Sequence, residues 1–130
     1  MTATNSEFVF VECSNSVYCN IQVKNAKWVE VICNGPLTYC YIFADNVDYL
    51  NVDCKNSDTC IVDTTDNTNF NQFNHVIDCK GSAYCILYAQ YVTNLEFSCQ
   101  SSTTFCYVDL VSTKTNSIIF TGAASSYIFC

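Results

Sequence analysis

The stretch Val29–Ile42, VEVICNGPLTYCYI, decides the fold. Its apolar side chains fall on every second place: Val29, Val31 and Cys33, then Cys40 and Ile42. Side chains alternate across a strand with period two, so each run reads as a strand with one buried face. The residues between the two Cys, NGPLTY, hold Asn, Gly and Pro, which reverse a chain. Both Cys face inward, one closing a strand and the other opening the next.

The pattern repeats along the chain. Cys pairs stand at Cys13/Cys19, Cys33/Cys40, Cys54/Cys60, Cys79/Cys85 and Cys99/Cys106, and the step from one first Cys to the next is 20, 21, 25 and 20 residues. Two places before the first Cys come Val11, Val31, Val52, Ile77 and Phe97, preceded in turn by Val9, Val29, Leu50, His75 and Leu95. Two places after the second come Ile21, Ile42, Val62, Leu87 and Val108. A sixth unit continues the series with Thr121 in the first-Cys place and Ile128 in the second. Regular self-similarity of this kind marks a solenoid, whose coils bury their apolar faces only by stacking. The expectation is one all-β domain over residues 1–130, a parallel β-helix or β-solenoid of six coils near 5–24, 25–45, 46–70, 71–90, 91–112 and 113–130. A right-handed coil is expected.

The two Cys of each pair flank a short turn, so a bridge inside each coil is geometrically natural. A loop this short contributes about 2 kcal/mol by restricting the unfolded chain. Zinc is the competing use of Cys, but no C-x-x-C knuckle occurs. Eleven Cys in 130 residues point to a secreted or cell-surface protein, where disulfides persist. The opening residues, MTATNSE, contain no apolar run of the signal-peptide kind. No segment is long and apolar enough for a membrane-spanning helix. A net charge of −7 with no Arg suits phosphate backbones poorly, so nucleic acid is not expected as a partner. No Asn begins an N-x-[ST] sequon, which leaves O-linked glycan as the sugar modification to expect.

The motif V-x-C-x5-6-C-x-[IV], repeated through nearly the whole chain, resembles the Cys-rich parallel β-helix repeats of secreted and cell-surface proteins of protists and other microbial eukaryotes. That resemblance implies architecture and an extracellular setting, not an activity. Disulfide-stapled insect ice-binding solenoids are similar in principle, but their repeat is shorter and shows Thr-x-Thr ranks that are missing here. Pectate-lyase-like β-helices carry Arg on their coils, and this chain has none.

With the inward columns committed to a core, function is expected on the outward ones. Around the second Cys, Tyr39, Tyr41, Phe43, Ile61, Tyr84, Ile86, Tyr88, Phe105, Tyr107, Tyr127 and Phe129 should form an apolar, ring-rich ribbon on one sheet. It reads either as a stacking ladder or as a contact surface between copies of the chain. On the other sheet the middle coils are polar, while Phe8, Phe10, Ile118 and Phe120 mark the two end coils. Asp53 and Asp78 are expected as stacked neighbours, able to hold calcium or simply solvated. Asp63–Asn74, DTTDNTNFNQFN, lengthens one step and reads as a loop on one edge.

His75 is the lone histidine and occupies a core column, so no catalytic constellation forms around it, and neither enzyme activity nor a cofactor is expected. The function expected is structural: an extracellular protein that associates with itself, end to end, into filaments or a surface coat. The alternative is a carbohydrate- or surface-binding module of adhesin type, with ice a weaker candidate ligand. No polar cap closes either end, and Cys130, the odd eleventh cysteine, is expected to be a free thiol or a link to a neighbouring subunit.

Overall fold

Strict alternation of apolar and polar residues gives extended chain, and the computed structural model contains strands and turns throughout residues 1–65, 73–100, 105–113, 115–121 and 125–129, which it describes. In chain order the strands are β1 Thr2–Thr4, β2 Phe8–Glu12, β3 Tyr18–Ile32, β4 Tyr39–Asp53, β5 Thr59–Thr64 and β6 Asn74–Asp78. Then follow β7 Tyr84–Gln90, β8 Asn94–Gln100, β9 Phe105–Val111, β10 Thr115–Thr121 and β11 Ser125–Phe129. All pair in parallel, each with the equivalent strand of the next coil. One stack contains β2, the second halves of β3 and β4, then β6, β8 and β10. The other contains β1, the first halves of β3 and β4, then β5, β7, β9 and β11. The chain is a parallel β-solenoid of about five turns, each with its own disulfide, followed by the sixth-coil strands β10 and β11.

Like residues stack on like. Cys19, Cys40, Cys60, Cys85 and Cys106 lie in one register column, and Val29, Leu50, His75 and Leu95 in another. Cys13–Cys19, Cys33–Cys40, Cys54–Cys60, Cys79–Cys85 and Cys99–Cys106 are bridged, with Cα atoms 6.1–6.4 Å apart. That separation is within the ordinary span of a disulfide. Both strand stacks turn their apolar columns to a common core, where Ile21, Ile42, Leu50, Val62, Leu87 and Val108 are wholly buried.

The corners explain where the strands stop. At the corner between the Cys of a pair, the left-handed backbone positions alternate Asn15, Gly35, Asn56, Gly81. A Cβ on Gly35 would stand 2.8 Å from Asn15 Oδ1, and one on Gly81 would stand 2.5 Å from Asn56 Oδ1. Each Gly therefore makes room for the Asn side chain of the preceding coil, at a φ that only Gly adopts without strain. Inside this corner Thr38, Ser57 and Ser82 are buried hydroxyls. Thr38 Oγ1 donates to the Asn34 carbonyl at 3.0 Å, Ser57 Oγ to the Cys54 carbonyl at 3.0 Å, and Ser82 to the same Cys54 carbonyl. These bonds add to the backbone ones at the same carbonyls, Asn34 accepting from the Asn15 N–H at 2.8 Å and Cys54 from the Ser57 N–H at 3.4 Å. At the opposite corner Asn5, Asn25 and Asn46 take the left-handed conformation and link side chain to side chain, at 3.1 and 3.2 Å. This lets β3 and β4 run 15 residues each around the bend.

Three sequence expectations change. In the sixth coil, past a bulge between Thr115 and Ser117, Phe120, not Thr121, pairs with Cys99 and Ile118 pairs with Phe97. A one-residue slip exchanges the two faces of a strand. Ile118 is thereby a partly buried core neighbour rather than an outward residue, and Ile119, 41% exposed, takes the outward place. In the second strand Ser126, not Ile128, pairs with Cys106; this two-residue offset keeps Tyr127 and Phe129 outward. At the first coil the polar lead is itself a strand, β1 on β3, with the terminal ammonium donating to the Asn20 carbonyl at 2.7 Å. Of the long insertion, residues 66–72 lie outside the described residues, as does Cys130. The insertion returns to the core through Phe73, which is fully buried and tilted against the His75 ring.

Candidate binding faces

Outward columns differ on the two sheets because the strands alternate while the corners hold the register. On the second stack the ring-rich ribbon is present as a ladder. Tyr18 stacks on Tyr39 at 5.3 Å between centroids, Tyr84 tilts against Phe105 at 6.0 Å, and Phe105 against Tyr127 at 5.7 Å. A second rank runs Tyr88, Tyr107, Phe129, at 5.8 and 5.3 Å. Tyr39, Tyr41, Phe43, Ile61, Ile86, Tyr88, Phe105 and Tyr107 are half-buried by their neighbours, whereas Tyr84, Tyr127 and Phe129 stay exposed. The Tyr41 hydroxyl donates to Asp63 at 3.4 Å, and its pKa is raised first by burial, then by that carboxylate.

On the first stack Asp53 and Asp78 pair in register, and Lys55 lies across both. Its Nζ stands 3.1 Å from Asp53 and 3.3 Å from Asp78. The hydrogen bond to Asp53, then that to Asp78, raises the Lys55 pKa. The free carboxylate oxygens accept from the backbone N–H groups of Lys55 and Lys80, each at 3.1 Å. Lys55 offsets one of the two negative charges from within, and among the described residues no three His, Cys, Asp or Glu gather as a metal site. The sequence placed the two carboxylates together but missed Lys55, two residues along the turn.

His75 is buried in the core, 1% exposed. Its Nε2 faces the Val47 carbonyl at 3.3 Å; a carbonyl only accepts, so Nε2 carries the proton. Burial drives its pKa down to about 4, partly opposed by that hydrogen bond.

A third outward column escaped the sequence reading: Phe8, Trp28, Tyr49, Asn74 and Asn94 are in register across five coils. Trp28 and Tyr49 stack at 4.0 Å with planes 27° apart. Phe8 is 58% and Trp28 44% exposed. Beside Tyr49 opens a groove of about 540 Å3, lined by Tyr49, Asn74, His75, Val76, Asn94 and Glu96. Extending the period-two pattern one place further from the Cys would have found the column.

No protein-family model, curated protein or solved structure matched the chain. Fold and faces define its class: a disulfide-stapled parallel β-solenoid with aromatic ladders on its outer surface.

Proposed function

We propose that this is an extracellular structural protein that assembles with copies of itself, coil upon coil, into filaments or a surface coat. Disulfide density supports the extracellular setting. The observation that carries the reading is the layer at β11, the last described strand. Ile128 is in register with Val108, which is fully buried, yet Ile128 itself is 47% exposed. Tyr127 and Phe129, its neighbours along β11, are 50% and 51% exposed, and Ile119 on β10 in the other stack is 41% exposed. A parallel strand edge with a core-column residue half-exposed on it, flanked by exposed outward rings, is a template for the next coil. The first coil of a second copy supplies one, with exposed Phe8 and Phe10 at its margin. Such a contact is heterologous, joining unlike ends, and a heterologous contact that does not close yields a filament. The ring-rich ribbon of β4, β5, β7 and β9 gives a second, lateral surface for a coat. The reading includes no catalysis, in keeping with a histidine sealed in the core.

Light scattering tests it. The chain should grow in mass with concentration, and Ile119→Lys with Ile128→Lys should leave the disulfides formed but hold it monomeric. Ile61→Lys with Ile86→Lys should leave end-to-end growth intact while reducing lateral association. A parent chain that stays monomeric at high micromolar concentration excludes the proposal.

A further inference from the structure

The aromatic column on the first stack stops abruptly, and the stop makes a site. A ring in a stacked ladder has two faces to cover. Trp28 covers one face of Tyr49. In the next coil the register residue is Asn74, followed by Asn94, and an amide is too small to cover the other face. The groove of about 540 Å3 opens at this interruption. That volume falls in the range of small-molecule sites, roughly 300–1,000 Å3.

We propose that the groove binds a neutral carbohydrate, with one pyranose ring seated on the open face of Tyr49. The electron-rich face of an aromatic ring attracts the polarised axial C–H groups of a pyranose, as it attracts other positive edges. A sugar also needs polar partners around its equatorial hydroxyls, and the groove supplies them beside the ring. The Asn94 amide donates to Asn74 Oδ1, which orients both amides as a fixed row. The Glu96 side chain, exposed at the groove, is an acceptor for hydroxyl donors. Val76 adds an apolar wall.

Charge narrows the ligand further. The two outward columns that frame the groove are Phe8, Trp28, Tyr49, Asn74, Asn94 and Phe10, Glu30, Asn51, Val76, Glu96; their charged members are carboxylates. Lys27 nearby is taken up by Glu7 at 2.8 Å. Uronic or sulfated sugars are repelled from such a surface, whereas neutral hexoses and N-acetylated hexosamines are not. This site is on the first stack, away from the lateral ribbon, and holds whether or not copies assemble.

Trp28 is the sole tryptophan and stacks on Tyr49, so its fluorescence reports the site. The probes are cellohexaose, chitohexaose and mannohexaose, titrated against the intact oxidised chain. At least one should shift the Trp28 emission saturably. Glu96→Gln keeps the shape but weakens the acceptor, and should lower affinity about tenfold. Asn74→Tyr should extend the ladder over Tyr49, preserve the fold and abolish binding. No saturable change with any of the three sugars overturns the proposal. So does an Asn74→Tyr variant that is folded by circular dichroism and binds as tightly as the parent.

Discussion

His75 shows how a solenoid tolerates an odd residue. Its column is otherwise Val29, Leu50 and Leu95, and the ring is buried among them with one hydrogen bond to Val47. Burial disfavours the charged form, which sets the folded pKa near 4 against an ordinary 6.5. Between those values the unfolded chain binds a proton that the folded chain does not. Stability is therefore full above pH 6.5, falls as pH drops toward 4, and levels off below it. The loss across that window is on the order of 3 kcal/mol. Urea unfolding at pH 7 and pH 4.5 should show it, and His75→Leu should flatten the dependence. An equal pH response in parent and variant would place its origin elsewhere.

At the scale of the element, corners matter as much as strands. The alternation Asn15, Gly35, Asn56, Gly81 sets a side chain of one coil into the space left by a missing Cβ in the next. Gly81→Ala forces a methyl to 2.5 Å from Asn56 Oδ1 at a φ of +79°. It should destabilise the fold by about 1–3 kcal/mol. Asn56→Gly in the same chain should restore the part due to the clash, leaving the backbone strain. Chemical denaturation of the single and double variants measures both shares. The strands themselves were legible from Val29, Val31, Cys33, Cys40 and Ile42, because period two and one buried face leave a single register per coil. The sixth coil was misread because no Cys marks its register: Thr121 was set in the first-Cys place, whereas Phe120 pairs with Cys99 past the bulge at Thr115–Ser117. Phe73 was missed because it ends a polar insertion and belongs to no repeat position. The Trp28–Tyr49 column lay within reach of the same period-two pattern, five places before each first Cys, but the groove beside it was not legible, since it depends on Asn74 following Tyr49 in the next coil.

At the scale of the molecule, the five bridges and the stacked core answer different needs. Each coil is too small to hold its own core, and each bridge contributes only about 2 kcal/mol, since the loop it closes is short. Together the bridges supply on the order of 10 kcal/mol, about the whole net stability of an ordinary domain. Stability so distributed can pass from coil to coil, and at β11, the last described strand, Ile128 is half-exposed in register with the buried Val108. The proposed association would continue a ladder that already exists within the chain, with parallel strands in the same register sense. A filament built this way has a distinctive geometry: six rungs on the first stack and seven on the second, about 4.8 Å apart, give an axial repeat of roughly 29–34 Å. Electron microscopy of the purified, oxidised chain is the most direct measurement. The account predicts unbranched fibrils with that repeat and cross-β order along the axis, absent from the Ile119→Lys, Ile128→Lys variant. A field of dispersed single-chain particles at concentrations well into the micromolar range would contradict it.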